Sequence, residues 1–394
     1  MGTTHALSAL PTPTIELNTP VLIIGAGPAG LAIGACLRQT AVPFMILEQT
    51  DKVGATWHQH YDRLHLHTSK ANSALPFFPL PRRYPRYPSR LQMIDYFEAY
   101  ARHFQLEPRF GQEVVAADYH DGEWSVQTQD TLYRAQYLII ATGYNRKPSI
   151  PAWPGLSTFR GSVLHSAQYK NGATFKKQRV LVVGMGNSGG EIAIDLVEHG
   201  AKPSLAIRSS VNIIPRDLFG IPIITLSIVL SKIAPWLADA LTAPILRWVI
   251  GDLTQYGIHK LPYGPMTQIQ RDQRIPLIDV GTVQLIKRRQ ITIYPDIKEF
   301  TETGIIFTNG AQAEFDAVIA ATGYRPNVNS FLQGLPSAYD ENGFPIAIGS
   351  ESAHMGLYFC GFRISATGML REIAREAKQI SDDISRKWTN NRVE

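Results

Sequence analysis

Two stretches of this 394-residue chain repeat one pattern: an apolar strand, a glycine turn and an amphipathic helix. TPVLIIGAGPAGLAIGACLRQT begins at Thr19 and QRVLVVGMGNSGGEIAIDLVEHG at Gln178. Each predicts a short buried strand, Val21 to Ile24 and Val180 to Val183, that feeds a helix. Gly25 allows a tight bend, Gly27 lets backbone approach a pyrophosphate and Gly30 lets the helix pack close to its strand, with Ala26, Pro28 and Ala29 between them. Gly184, Gly186 and Gly189 take the same places in the second turn, around Met185, Asn187 and Ser188. A helix start offers unpaired N–H groups and a positive dipole end to phosphates. The fold class that follows is α/β, with two Rossmann-like dinucleotide-binding domains.

The strand after each helix distinguishes the ligands. VPFMILEQ ends in Glu48 and Gln49, and a carboxylate there can accept hydrogen bonds from both hydroxyls of an unphosphorylated ribose. PSLAIRSS instead ends in Arg208, Ser209 and Ser210, a guanidinium and two hydroxyls suited to a 2′-phosphate. The plainer alternative for Arg208 is a solvated cation at a strand end. NADPH is therefore expected on the second turn. FAD is expected on the first, because hydride passes readily from nicotinamide to isoalloxazine.

QYLIIATGYNRKP and DAVIAATGYRPN are matching strands that end in Ala-Thr-Gly-Tyr and carry the chain between the two domains. The expected order is an N-terminal tail over 1–18, an FAD domain over 19–150 and 318–394, and an NADPH domain over 151–317 inserted into it. An apolar helical insertion is expected at about 216–255. Alternating residues between Phe110 and Thr131 predict a small antiparallel meander, and a last helix is expected from about Leu370 to Trp388. Val114, Thr142, Gly143 and Gly361 complete the expected FAD set.

A net charge of +5 is too small to argue for nucleic acid, and suits an anionic small molecule. Cys36 and Cys360 are too few for a disulfide framework and form no CxxC, which argues against a disulfide reductase. The N-terminal stretch has neither a basic leader nor an apolar run, so a cytoplasmic location is expected. Residues 221–250 are the most apolar, yet Lys232, Asp239, Arg247, Pro235 and Pro244 keep every run below the roughly 18 residues of a span. Two short helices are expected there, as core or as a lid over a site rather than as a membrane contact.

HQHYDRLHLH, residues 58–67, holds four histidines. In a strand-like DRLHLHT, His65 and His67 would share a face, but no cysteine or carboxylate cluster nearby completes a metal site, and none is expected.

FRGSVLHSAQY, with Phe159, Gly161, His165 and Tyr169, resembles the fingerprint of class B flavin-dependent monooxygenases. GATWHQHYDRLHLH, YPSRLQMIDYFEAYARHF, GMGNSGGEIAIDL, IRSSVNIIPR and PLIDVG resemble the YUCCA-type flavin monooxygenases and their bacterial relatives. The resemblance runs from about residue 20 to the C-terminus and implies FAD, NADPH, molecular oxygen and a small organic substrate as partners. It implies oxygen added to reduced flavin as a hydroperoxide kept from water. In the plant group the substrate is an anionic 2-oxo acid, indole-3-pyruvate. N- or S-oxygenation, Baeyer–Villiger insertion and a diaphorase-like reductase stay open alternatives, as does a nucleotide-sensing flavoprotein without turnover. Oligomeric state is not legible.

The resemblance also places Trp57 where relatives pack an aromatic near the flavin. His67 falls where animal-type relatives carry an asparagine beside the ring, and Asn72 is a nearby alternative. Unlike asparagine, a histidine titrates near neutral pH. The loop PRRYPRYPSR (81–90) departs from the acidic loop of related sequences. Its Arg82, Arg83, Arg86 and Arg90 would draw an anionic substrate or NADPH inward, or simply be solvated.

Overall fold

The computed structural model describes residue 13 and residues 15–332, 334, 335 and 337–390. Most of the tail expected over 1–18 and the last four residues of the chain lie outside the described residues. The first sheet is built on β1 (Ile15–Ile24), which runs parallel to β2 (Phe44–Leu47) on one side. Val21 to Ile24 are buried, and a strand covered on both faces reads as a continuous apolar run. The strand runs from Ile15, earlier than the expected Val21 to Ile24, because Ile15 to Asn18 continue the pairing with Thr131 to Arg134.

α1 (Pro28–Gln39) follows β1, and the short α2 (Ala55–Gln59) follows β2. α3 (Arg90–His103) starts at a capping box: the Ser89 hydroxyl accepts from the Gln92 N–H while the Gln92 side chain accepts from the Ser89 N–H. It adds Met93, Tyr96, Phe97 and Tyr100 to the core under α1. The meander is present as β3 (Ala116–His120), β4 (Glu123–Gln127) and β5 (Thr131–Ile140). β5 joins it to the parallel part of the sheet, pairing with β1 on one side. Its other side pairs with β4 in its first half and with the strand Leu357–Phe359 in its second. The last helix, Met369–Asn390, packs on α1.

The chain leaves this sheet through β6 (Lys147–Pro148) and enters a second, wholly parallel sheet. Its order is Thr292–Tyr294, β9 (Lys202–Ala206), β8 (Arg179–Val183), Ala317–Ala320 and β7 (Ser162–His165), with α4 (Asn187–Glu198) against it. Ala317–Ala320 sits between β8 and β7, so the chain remains in this sheet to residue 320. Tyr324–Arg325 then pairs antiparallel with β6, which makes the two crossing segments one ribbon.

The apolar insertion consists of a tight hairpin at 217–222, α5 (Ile223–Leu230) and α6 (Pro235–Ile250). α6 buries Ala238, Asp239, Leu246 and Ile250. Its opposite side, with Trp236, Leu237, Leu241, Ile245 and Trp248, is exposed, so the expected reading as core holds for one side only. Among the described residues no helix is long and apolar enough to cross a membrane.

Candidate active site

The two glycine turns have the same geometry. Gly25 and Gly184 adopt φ of +108° and +107°, and a Cβ on either would meet the carbonyl of Ala141 or Ala321 at 2.7 and 2.6 Å. A Cβ on Gly30 would lie 1.9 Å from the Gly25 carbonyl oxygen, and one on Gly189 equally close to that of Gly184. These four positions shape the turn. Gly27 and Gly186 differ, since a Cβ there would meet no atom within 4 Å. Each faces open space at a helix N-terminus, a cradle that a phosphate fits.

Beside the first turn, Gly143 also faces open space at φ +73°, and the buried Thr142 hydroxyl has no partner. Buried polar groups are almost always paired, so this hydroxyl fits a cofactor alongside it. The Glu48 carboxylate accepts from the Ala26 N–H at 2.8 Å and from the Thr50 N–H and hydroxyl at 3.0 and 2.9 Å. It holds the turn, and its remaining lone pairs stay available to ribose hydroxyls. Val114 is buried against the end of the sheet near Leu47, and Gln49 is exposed. Gly361 packs against Ala29, where a Cβ would lie 3.0 Å from the alanine methyl, and its N–H donates to buried Glu376.

At the second turn, the Asn187 side-chain Oδ1 accepts from the Ile278 N–H at 2.8 Å. Arg208 and Ser209, just beyond β9, are exposed, with Ser210 half-buried. This is an open cationic rim beside the Gly186 cradle. The residues of both turns therefore fit two dinucleotides.

Residues 54–72 bridge the two turns. The Gly54 N–H donates to the Ala26 carbonyl at 2.9 Å and opens α2, whose Trp57 meets Phe97 edge-to-face at 5.3 Å. His58 lies on α2, and His60 follows it with its imidazole pKa pushed down to about 4, chiefly by burial. DRLHLHT is not a strand: only His65 makes an isolated bridge, to Ser89. The two histidines part, His65 Nδ1 meeting the Arg63 carbonyl and His67 Nε2 lying 2.6 Å from Glu191 Oε1 on α4.

Glu191 is the acid that sequence reasoning missed. It is 3% exposed and faces Arg63 as well, whose guanidinium also grips Glu198 through two bonds of 2.9 Å. The buried Tyr61 hydroxyl faces Ser188 and Glu191. Two acids four residues apart, Glu191 and Asp195, among the buried residues of α4 were the available clue. Thr225 on α5 is a second omission: the Asn72 amide donates to its hydroxyl at 3.1 Å. A Cβ on Gly368 would lie 2.7 Å from the Thr68 methyl and 3.8 Å from Ile224. The 67–72 loop, α5 and the start of the last helix thus converge, with α4 reached through His67.

The four fingerprint residues join the crossing ribbon to the second sheet. Gly161 is fixed by the Phe159 ring, which its Cβ would meet at 2.5 Å. His165 Nδ1 accepts from the Ala167 N–H, so Nε2 carries the proton and donates to the Gly323 carbonyl at 3.0 Å. Its ring also meets Tyr324 at 4.9 Å, and burial lowers its pKa. Buried Tyr169 donates to Asp195 on α4 at 2.5 Å.

Of the four loop arginines, Arg86 bonds the Gly220 carbonyl and Asp217, and Arg90 bonds Asp62. Lys70 donates to the carbonyls of Arg82 and Tyr84, which straps the loop to the 67–72 segment. Cys36 and Cys360, far apart in sequence, share one core as free thiols, and burial pushes Cys36 up to about 12 and Cys360 well above its ordinary value. Such thiols are poor nucleophiles.

A model of the flavin-binding monooxygenase-like family matches residues 18–336. The chain is 39% identical over 386 residues to the probable indole-3-pyruvate monooxygenase YUCCA9 of Arabidopsis thaliana, covering 95% of this chain and 90% of that one. To the indole-3-pyruvate monooxygenase YUCCA1 of Oryza sativa subsp. japonica it is 38% identical over 377 residues, 93% and 91% of the two chains. Its fold is similar to that of a flavin-containing monooxygenase from Stenotrophomonas maltophilia, with a TM-score of 0.74 at 23% identity over 94% of this chain and 99% of that one. The chain belongs to the flavin-binding monooxygenase-like family and is an FAD-containing, NADPH-dependent monooxygenase.

Proposed function

We propose that this enzyme decarboxylates an aryl 2-oxo acid of the indole-3-pyruvate type. One 2-oxo acid, O2, NADPH and a proton give the carboxylate one carbon shorter, CO2, NADP and water. The observation that carries this reading is the 38–39% identity to two indole-3-pyruvate monooxygenases over at least 90% of both chains.

In this reading the turn from Gly25 to Gly30 holds the FAD pyrophosphate, Glu48 the ribose, and Thr142, Gly143 and Gly361 the adjoining parts. Gly184 to Gly189 hold the NADPH pyrophosphate, and Arg208, Ser209 and Ser210 its 2′-phosphate. Bound FAD supplies the redox chemistry, taking two electrons from NADPH and delivering them to oxygen.

The chain's own part is positioning. His67 donates through Nε2 to Glu191, which leaves Nδ1 of the neutral ring as an acceptor toward a ligand. Asn72 and Thr225 join α5 to the 67–72 loop on the adjoining side. Arg82 and Arg83, exposed on the loop that Lys70 straps to the 67–72 segment, attract the anionic substrate.

The test is turnover in labelled oxygen with indole-3-pyruvate, phenylpyruvate, trimethylamine and a thioether. One labelled oxygen in the shortened acid, with NADPH consumed in equal amount, is the expected result. Labelled N-oxide or sulfoxide as the main product would overturn it.

A further inference from the structure

We propose that the outer face of the 219–248 insertion docks this enzyme on an anionic membrane surface. Phe219, Trp236 and Trp248 are 72%, 69% and 76% exposed, and Phe219 stacks on Trp248 at 6.2 Å, so the hairpin tip and α6 form one surface. Leu237, Leu241, Ile245 and Trp248 follow one another along α6 at helical spacing and continue that surface, opposite the buried stripe. Val229 on α5 and Ile233 between the helices extend it. A contiguous apolar face of this extent marks a binding surface rather than ordinary exterior.

The charges select the occupant. Lys232 and Arg247 are exposed, whereas Asp239 and Asp217 are engaged within the protein, and the exposed Asp252, just past α6, offsets one of the two cations. Asp239 is buried and accepts from the Met266 and Thr267 N–H groups, and Asp217 accepts from the Tyr87 hydroxyl and from Arg86. Pairing with a second copy across a two-fold axis would bring two faces of the same net positive charge together. An anionic lipid surface instead neutralises that charge, and takes tryptophan rings at the depth of its headgroups. Neither helix spans; each lies in the interface plane. Because α5 also touches Asn72 and the start of the last helix, docking sets the site beside the membrane surface.

Flotation of the FAD-loaded full chain tests this, with vesicles of phosphatidylcholine alone and of phosphatidylcholine mixed with phosphatidylglycerol. The wild type is expected to float with the mixed vesicles. Trp236→Ser combined with Trp248→Ser abolishes flotation while FAD content and NADPH oxidation in solution stay unchanged, which shows that the variant is folded. Lys232→Gln and Arg247→Gln each weaken binding by about fivefold. Wild type that fails to float, or flotation that survives loss of both tryptophans, overturns the proposal. So does a vesicle-independent dimer that the tryptophan variant dissociates, which would make a second copy the occupant.

Discussion

His67 Nε2 lies 2.6 Å from Glu191 Oε1, a bond that ties the loop after α2 to the helix of the second glycine turn. A carboxylate can only accept here, so Glu191 fixes both the ring and the position of its proton. His67→Ala is expected to raise hydrogen peroxide released per NADPH consumed, with FAD still bound. Glu191→Gln keeps an acceptor but removes its charge, at a cost of about 1 kcal/mol, or roughly fivefold in product formation. Peroxide and product assays under one NADPH load measure both, and unchanged coupling in His67→Ala would end the assignment.

The glycines of the second turn separate folding from binding. In Gly189→Ala the new methyl meets the Gly184 carbonyl, and such overpacking costs about 1–3 kcal/mol or more, seen as a lower Tm. Gly186→Ala meets nothing and has an ordinary φ, so its Tm should match wild type. Its methyl occupies the phosphate approach, and KM for NADPH should rise by about tenfold, a loss of about 1.4 kcal/mol. An unchanged KM would show that the phosphates lie elsewhere.

The turns were legible in the sequence because their geometry is local: glycine spacing alone dictates where backbone meets backbone. The partner of His67 was not, because Glu191 is 124 residues away and only the docking of one sheet against the other brings them together. The expected DRLHLHT strand fails for a related reason, since that alternation serves contacts to α3's cap and to α4 rather than a sheet. Cys36 and Cys360 show the converse. The sequence showed only that they form no CxxC, yet they share one core, and it is burial that makes them unreactive. Apolar residues at 221–250 read as core or lid, and composition cannot say that one side of α6 faces outward.

Arg208 stands exposed just beyond β9 beside the open Gly186 cradle. A charge-assisted contact to a 2′-phosphate contributes about 1.5–3 kcal/mol. Arg208→Ala should therefore lower kcat/KM for NADPH by about ten- to a hundredfold and leave that for NADH nearly unchanged. Equal loss with both nucleotides would place Arg208 outside the 2′-phosphate site.

Acid should destabilise this protein through His60. Burial holds its imidazole at about 4, helped by the charges of Lys170 and Arg90, whereas in the unfolded chain it titrates near the ordinary 6.5. Between those values the unfolded state binds a proton that the folded state refuses, so stability is fully present above pH 6.5 and falls as pH drops toward 4. At pH 5 the loss amounts to about 2 kcal/mol. His165, also lowered by burial, acts in the same direction. Denaturant unfolding at pH 7 and pH 5 measures this for wild type and His60→Gln. The variant should recover about 2 kcal/mol of the difference between the two pH values, and an undiminished loss would assign the acid sensitivity to other groups.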